Sequence, residues 1–185
     1  LTAAEACTEE ANRLERLACF DEVFATPLAL YQPGAGEPRV NRSERWRQAF
    51  ALAGKGDASG VIYRNTGATA GHLVTVTALG AKPPRPVLTL QCHNNITELA
   101  VMLPEPINRE RVNVALSAER AWWRVRDEGL VVSAGRGLPA IRTVLAMVRE
   151  PDTRVQADVA ELDGLLFDLT GYAEAIKPLR QACGW

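Results

Sequence analysis

The chain has 185 residues, one domain's worth by length, and its 21 Lys plus Arg against 22 Asp plus Glu leave a formal net charge of -1. That balance gives no support to nucleic-acid binding by a concentrated basic surface and argues against a polybasic membrane anchor, so neither is expected. No run of about 18 apolar residues is present, which excludes a predicted transmembrane helix, and 47% hydrophobic with 23% charged residues is ordinary for a globular domain.

Thr2 with Glu5, and Asn12 with Glu15, read as capping boxes. They predict two short helices over roughly 3–10 and 13–24. Cys7 and Cys19 fall in these helices, and Cys92 and Cys183 complete the set. There is no C-x-x-C, and His72 and His93 complete no zinc-ligand spacing, so neither a metal nor any other cofactor is expected. An even count without metal spacing fits two disulfides, for which three connectivities exist, against four buried free thiols. In one unbroken helix Cys7 and Cys19 would lie about 18 Å apart, beyond the roughly 4.4–6.8 Å between Cα atoms that a disulfide spans. A turn near Asn12 brings them together, and Cys7–Cys19 then staples a helical hairpin.

Residues 31–44, rich in Pro and Gly, read as a linker or long loop separating this hairpin (1–30) from an α+β core (45–185) within a single domain. From Ser43 to Ala53 a helix competes with a strand. The helix, with Trp46, Ala49, Phe50 and Ala53 on one side and Gly54 as its stop, is the preferred reading. Residues 54–60 read as a loop. Segments 73–79, 87–92, 96–103 and 111–116 read as strands broken by proline-rich turns, and 121–126 with 130–133 as a hairpin around Asp127-Glu128-Gly129. Two-residue alternation puts Leu88, Leu90 and Cys92 on one strand face. Asn94-Asn95 fits a tight hairpin turn whose register pairs Leu90 with Leu99 and Leu88 with Val101.

Gly137-Leu138-Pro139 opens a further helix with Ile141, Val144, Leu145 and Val148 as its apolar stripe. A last strand follows with Val155, Ala157 and Val159 inward, then a helix over about 171–182 that Pro178 kinks or shortens. Tyr172, Ile176, Leu179 and Cys183 form one stripe on that helix, so Cys183 reaches the buried side and Cys92–Cys183 ties the helix to the sheet. The predicted class is α+β with a mainly antiparallel sheet, a helical hairpin at the start, a helix at the end and two disulfides. The chain opens at Leu1 and its only methionines are Met102 and Met147. The expectation is an exported protein whose secretory signal has been removed.

No signature of nucleophilic, metal or phosphate chemistry appears: G-x-S-x-G, H-E-x-x-H and a P-loop are all missing, and GAGEPR at 34–39 is no dinucleotide fingerprint. Ser133–Gly137 before a helix offers an anion cradle with Arg136 assisting, against a simple strand-to-helix connection, which is preferred. Asp158, Glu161, Asp163 and Asp168 offer an acid/base pair, against solvated turn positions, also preferred. The surface candidate is Trp122-Trp123-Arg124-Val125-Arg126. On a strand one tryptophan enters the core, and Trp122 with Arg124 and Arg126 forms the other face. Such a face can stack on a glycan or anchor a protein, or merely cover the sheet.

Cys7 followed by Arg16-Leu17-Ala18-Cys19-Phe20-Asp21, LTLQC at 88–92 with Ile96-Thr97, AGRGLPAI at 134–141, LDGLLFDLTG at 162–171 and LRQACGW at 179–185 together resemble the VasI/TagO family of type VI secretion-associated proteins. Phe20 stands where the family opening usually has tyrosine. The resemblance implies a periplasmic accessory protein of a contractile injection machine, with the four cysteines as disulfide partners and no catalytic residues to carry over. The expected function is non-enzymatic binding of a protein of that machine or of the envelope. Alternatives are a peptidoglycan-associated or immunity-type module, or an envelope hydrolase with an unrecognised site.

Overall fold

The computed structural model describes residues 2–25, 42–53, 60–117 and 119–185. Residues 31–41 of the expected linker over 31–44 and residues 54–59 of the expected loop over 54–60 lie outside the described residues, and Glu44, the linker's expected last residue, instead opens a helix. Two compact units are present, Leu1–Arg39 and Val40–Trp185.

In the first unit, α1 (Thr2–Cys7) and α2 (Arg13–Val23) form the expected hairpin, closed by Cys7–Cys19 with Cα atoms 5.6 Å apart. α1 stops three residues short of the prediction because Thr8 folds back, its N–H and hydroxyl both donating to the Glu5 carbonyl. Asn12 caps α2, its side chain accepting from the Leu14 N–H. Its own N–H donates to the Glu10 carboxylate at 3.0 Å, so Glu10 rather than Glu15 gives the reciprocal bond.

The second unit is built on an eight-stranded sheet in which every pairing is antiparallel. Its strands are β1 (Val61–Asn65), β2 (His72–Thr77), β3 (Val87–His93), β4 (Ile96–Met102), β5 (Arg111–Leu116), β6 (Glu119–Arg126), β7 (Val131–Arg136) and β9 (Gln156–Ala157), in the order β1-β2-β3-β4-β7-β6-β5-β9. A two-stranded sheet joins β8 (Asp152–Arg154) to β10 (Leu166–Asp168). The predicted β3–β4 register is present, with Leu90 opposite Leu99 and Leu88 opposite Val101. Asn94 and Asn95 both take positive φ, which asparagine tolerates and a two-residue hairpin turn demands.

α3 (Glu44–Ala53), the preferred reading of that ambiguous segment, packs Trp46, Ala49 and Leu52 on one face of the sheet, against Leu73, Ala100, Met102 and Val131. Ser43 accepts the first helical bond through its carbonyl but sends its hydroxyl elsewhere, to Asp127. The opposite face carries the larger core, in which Val74, Leu90, Leu99, Val132 and Trp123 meet Phe167 and the helices that follow β7.

α4 (Leu138–Met147) begins at Gly137 as expected, with Pro139 in its first turn, but its buried stripe is Ala140, Thr143, Val144 and Met147. Leu145 of the predicted stripe is exposed. The helix is apolar nearly all round, so periodicity alone does not choose the inward face. The expected single strand over 155–159 is instead the two short strands β8 and β9, with Val155 between them. Val155 and Val159 are buried, Ala157 packs against the core, and Arg154, Gln156 and Asp158 point out, as the alternation indicated. The final helix is divided at Ile176 into α5 (Tyr172–Ala175) and α6 (Lys177–Cys183), because Pro178 sits in the first turn of α6. Tyr172, Ile176 and Leu179 are fully buried, α6 lies on β2 and β3, and Cys183 bonds Cys92 with Cα atoms 5.9 Å apart.

Candidate interaction surface and polar cleft

Alternation along β6 fixes two faces. Trp123 enters the core at 3% exposure, and Trp122 stands out at 62% with Arg124 exposed and Arg126 half-buried on the same side. That side is the sheet face on which α3 lies, since Arg126 is opposite Val131, a residue packed under α3. β5 adds Arg111 directly across from Arg124 and Asn113 across from Trp122. α3 lies on β2 and β3. Trp122, Arg124 and Arg111 therefore occupy the other half of one sheet face, where Trp122 and both arginines remain exposed. At its end Arg109, Arg111, Arg124 and Arg126 line a single cavity of about 350 Å³ together with Glu110 and Glu128.

Beside α3 lies a second feature that sequence reasoning missed. Glu98 is 5% exposed in β4, directly before the apolar run Leu99–Met102. A bulge in β7 makes its surroundings. Leu99 and Ala100 pair with Gly135 and Ser133, so Ala134 is the extra residue. The added residue turns both Ser133 and Arg136 toward Glu98. The Ser133 hydroxyl donates to Glu98 at 2.8 Å and Arg136 Nε at 3.0 Å, while Arg45 of α3 places Nη1 3.0 Å from the same carboxylate. Arg45 Nε also donates to Asp127 at 3.2 Å, and Ser43 to Asp127 at 2.7 Å.

Burial alone would raise Glu98 above the usual carboxylate range. Arg45, Ser133 and Arg136 more than offset it and hold the group below. Asp127 is lowered in the same way, with burial opposed by Ser43 and Arg45. Arg45, which burial would weaken as a cation, is held charged by Glu98 and Asp127. Asp127 sits at φ 50, and the turn is completed by Gly129 at φ 97. A Cβ on Gly129 would lie 2.5 Å from the Ile107 carbonyl oxygen, so the chain needs glycine there to present Asp127 to Arg45. The cleft over this network, with Gln91 and His93 also on its wall, encloses about 430 Å³.

The other sequence candidates are absorbed by local structure. The Gly135 N–H donates to Ser133 Oγ and the Gly137 N–H to the Thr97 carbonyl, so both are occupied, and Ser133–Gly137 is a strand-to-helix connection. Asp158, Asp163 and Asp168 accept from the N–H groups of Asn113, Ala157 and Thr170, while Glu161 is exposed. These are turn-fixing acids. Among the described residues no group of three or more His, Cys, Asp or Glu is placed to hold a metal ion, and no helix is long and apolar enough to cross a membrane.

A family described as "Type VI secretion system VasI, EvfG" matches residues 6–185. The chain belongs to the VasI family. The match runs through both stapled units and covers the β6 face, the cleft and both disulfides, so the protein is associated with a type VI secretion system. Comparisons with curated proteins and with solved structures find no match. Membership and two disulfides fit an exported protein.

Proposed function

We propose that this VasI-family protein is a non-enzymatic, periplasmic accessory protein that binds a component of the secretion machine or of the envelope through the Trp122–Arg124–Arg126 face. The observation that carries the reading is a large aromatic side chain left 62% exposed among arginines on the open half of a sheet. Tryptophan and arginine are the residues that anchor protein interfaces. A charged rim around one aromatic anchor also suits a site that must stay soluble while unoccupied.

The alternative of an envelope hydrolase draws on the cleft, which gathers Glu98, Asp127 and His93. Its carboxylates argue against it. A general acid needs its pKa raised toward the working pH, whereas Glu98 and Asp127 are both lowered, each engaged by Arg45 and a serine hydroxyl. The network reads as an electrostatic clamp fixing α3 and the 127–129 turn to the sheet.

The test is crosslinking in the periplasm with the secretion machine present and absent, comparing the natural chain with W122A/R124A. The expected result is an envelope or machine protein captured only with the machine present and lost in the variant. Capture that is unchanged in W122A/R124A would move the binding surface elsewhere, and capture of nothing by either chain would overturn the reading.

A further inference from the structure

The chemistry of the occupant is written in the same half-face. Arg111 and Arg124 are direct cross-strand partners, an arrangement in which like charges repel. Among the described residues, ion pairs are made by Arg45, Arg47, Arg136 and Lys177, and none by Arg109, Arg111, Arg124 or Arg126. Those four share one cavity with two carboxylates, Glu110 and Glu128. Arg126 Nε is buried and has no acceptor among the described residues. Against an overall charge of -1, this arginine-rich cluster is a local feature, and its complement is a set of carboxylates spaced to meet it.

The shape of the seat is equally specific. On the same sheet face α3 rests on β2 and β3, filling its half with Trp46, Ala49 and Leu52. The open half consists of β6, β5 and β9, whose axes span roughly 10 Å at about 4.8 Å per strand, the width of one α-helix with its side chains. Trp122 stands in it as the apolar contact, with Ala115 half-buried and Arg120 on the same side.

We propose, building on the reading of the Trp122 face as a partner surface, that its occupant is an acidic amphipathic helix of a separate protein. This helix lies beside α3 on β5 and β6. Its apolar stripe packs on Trp122, and Asp or Glu side chains one turn apart pair with Arg111, Arg124 and Arg126. Guanidinium forks take carboxylates two bonds at a time, which fixes orientation as well as charge. A neutral glycan would use Trp122 and leave the arginines unpaired.

The proposal is tested with a synthetic amphipathic peptide of about four helical turns, carrying Glu at i,i+4 positions opposite a Leu stripe. Its controls are the same peptide with Gln or Lys for Glu, and inorganic polyphosphate. Titrations use the full chain with both disulfides intact. The expected result is binding by the Glu peptide alone among the peptides, weakened at least about tenfold by R111E/R124E and by W122A, and weakened by added salt. R111K/R124K, which keeps the charge but loses the fork, distinguishes paired carboxylates from a diffuse field and is expected to weaken binding several-fold.

Equal binding of the Gln or Lys peptide, or indifference to R111E/R124E, would overturn the proposal. Polyphosphate binding that matches the Glu peptide and ignores W122A would replace the acidic helix with a bare polyanion. Self-association of the pure chain that R111E/R124E abolishes would make the occupant a second copy and overturn the separate partner. A photocrosslinker at Ala115, used in cells, separates this failure from that of the function. A machine partner captured there without an acidic helix refutes only the helix, whereas no partner at all refutes the surface.

Discussion

Removing the Cys92–Cys183 bridge by C92A/C183A, with Cys7–Cys19 left in place, tests how the last helix is held. The two cysteines are 91 residues apart. Chain entropy for a loop of that order gives up to about 4.7 kcal/mol, and about 3–4 kcal/mol is expected once residual structure in the unfolded chain is allowed for. The native state should persist without the bridge. Tyr172, Ile176 and Leu179 are at most 1% exposed, and each such side chain contributes about 1.5–3 kcal/mol by burial, so α5 and α6 stay docked. The variant should therefore keep the far-ultraviolet spectrum of the natural chain and unfold earlier, by roughly 6–16 °C for a domain of this size. The assay is paired thermal and urea unfolding under non-reducing conditions, with peptide mass spectrometry confirming the 92–183 link in the natural chain. A loss below about 1 kcal/mol, or a native spectrum already lacking helix, would refute the argument, since the first denies the loop constraint and the second denies that packing suffices.

Cys7–Cys19 should behave differently. α2 has no buried residue, and α1 and α2 are each shorter than isolated helices need to be stable in water. C7S/C19S is therefore expected to lose hairpin helicity with little change in the unfolding midpoint of residues 40–185, read by hydrogen exchange across 2–25. Arg45→Met strands Glu98 as a buried, half-neutralised charge and should cost about 3 kcal/mol, measured by urea unfolding at neutral pH. In the natural chain Glu98 and Asp127 are lowered on folding, so their contribution is fully present above the unfolded carboxylate values and is lost as pH falls through the folded ones. Unfolding curves should thus show stability falling below about pH 4, and falling less steeply in Glu98→Gln. Burial pushes the Tyr172 hydroxyl well above the ordinary tyrosine value, and it has no hydrogen-bond partner among the described residues. Tyr172→Phe should consequently be neutral or stabilising by up to about 1–2 kcal/mol, and a clear loss of stability would show that the hydroxyl is satisfied.

Legibility followed the strength of the local pattern. The β3–β4 register could be read because strict alternation on both strands and an Asn-Asn turn admit one pairing that keeps Leu88, Leu90, Leu99 and Val101 together. Both cystine pairs followed, one from helix length and one from two apolar stripes that must face each other. β1 was missed because VIYRN at the sheet edge is half-buried at one end and exposed at the other, and so shows no alternation. β10 is three residues in a turn-rich segment. The cleft was hidden for another reason. Arg45, Glu98, Asp127 and Arg136 come from four separate elements, and the bulge at Ala134 that turns Arg136 inward has no signature in AGRGLP. One residue did signal it: Glu98 within ITELAVM is a charge directly before a buried apolar run, Leu99–Met102, and a buried carboxylate requires a paired cation.

The two arginine groups on the α3 face argue for different roles through the same physics. Arg45 and Arg136 meet a carboxylate that burial would otherwise neutralise, so their charge is used within the fold and is unavailable to a ligand. Arg111 and Arg124 face each other across a strand pair, and neither makes an ion pair among the described residues. A sheet that needed only solubility could have placed opposite charges at these positions, where cross-strand pairing would stabilise it by a few tenths of a kcal/mol. Keeping two arginines opposite one another, beside an exposed tryptophan, gives up that stabilisation at the one part of the face α3 does not reach. It follows that R111E alone, which converts the repelling pair into an attracting one, should make the isolated protein slightly more stable while weakening partner capture. Loss of stability in R111E would show that Arg111 is already satisfied within the fold, and the case for an external carboxylate would fall with it.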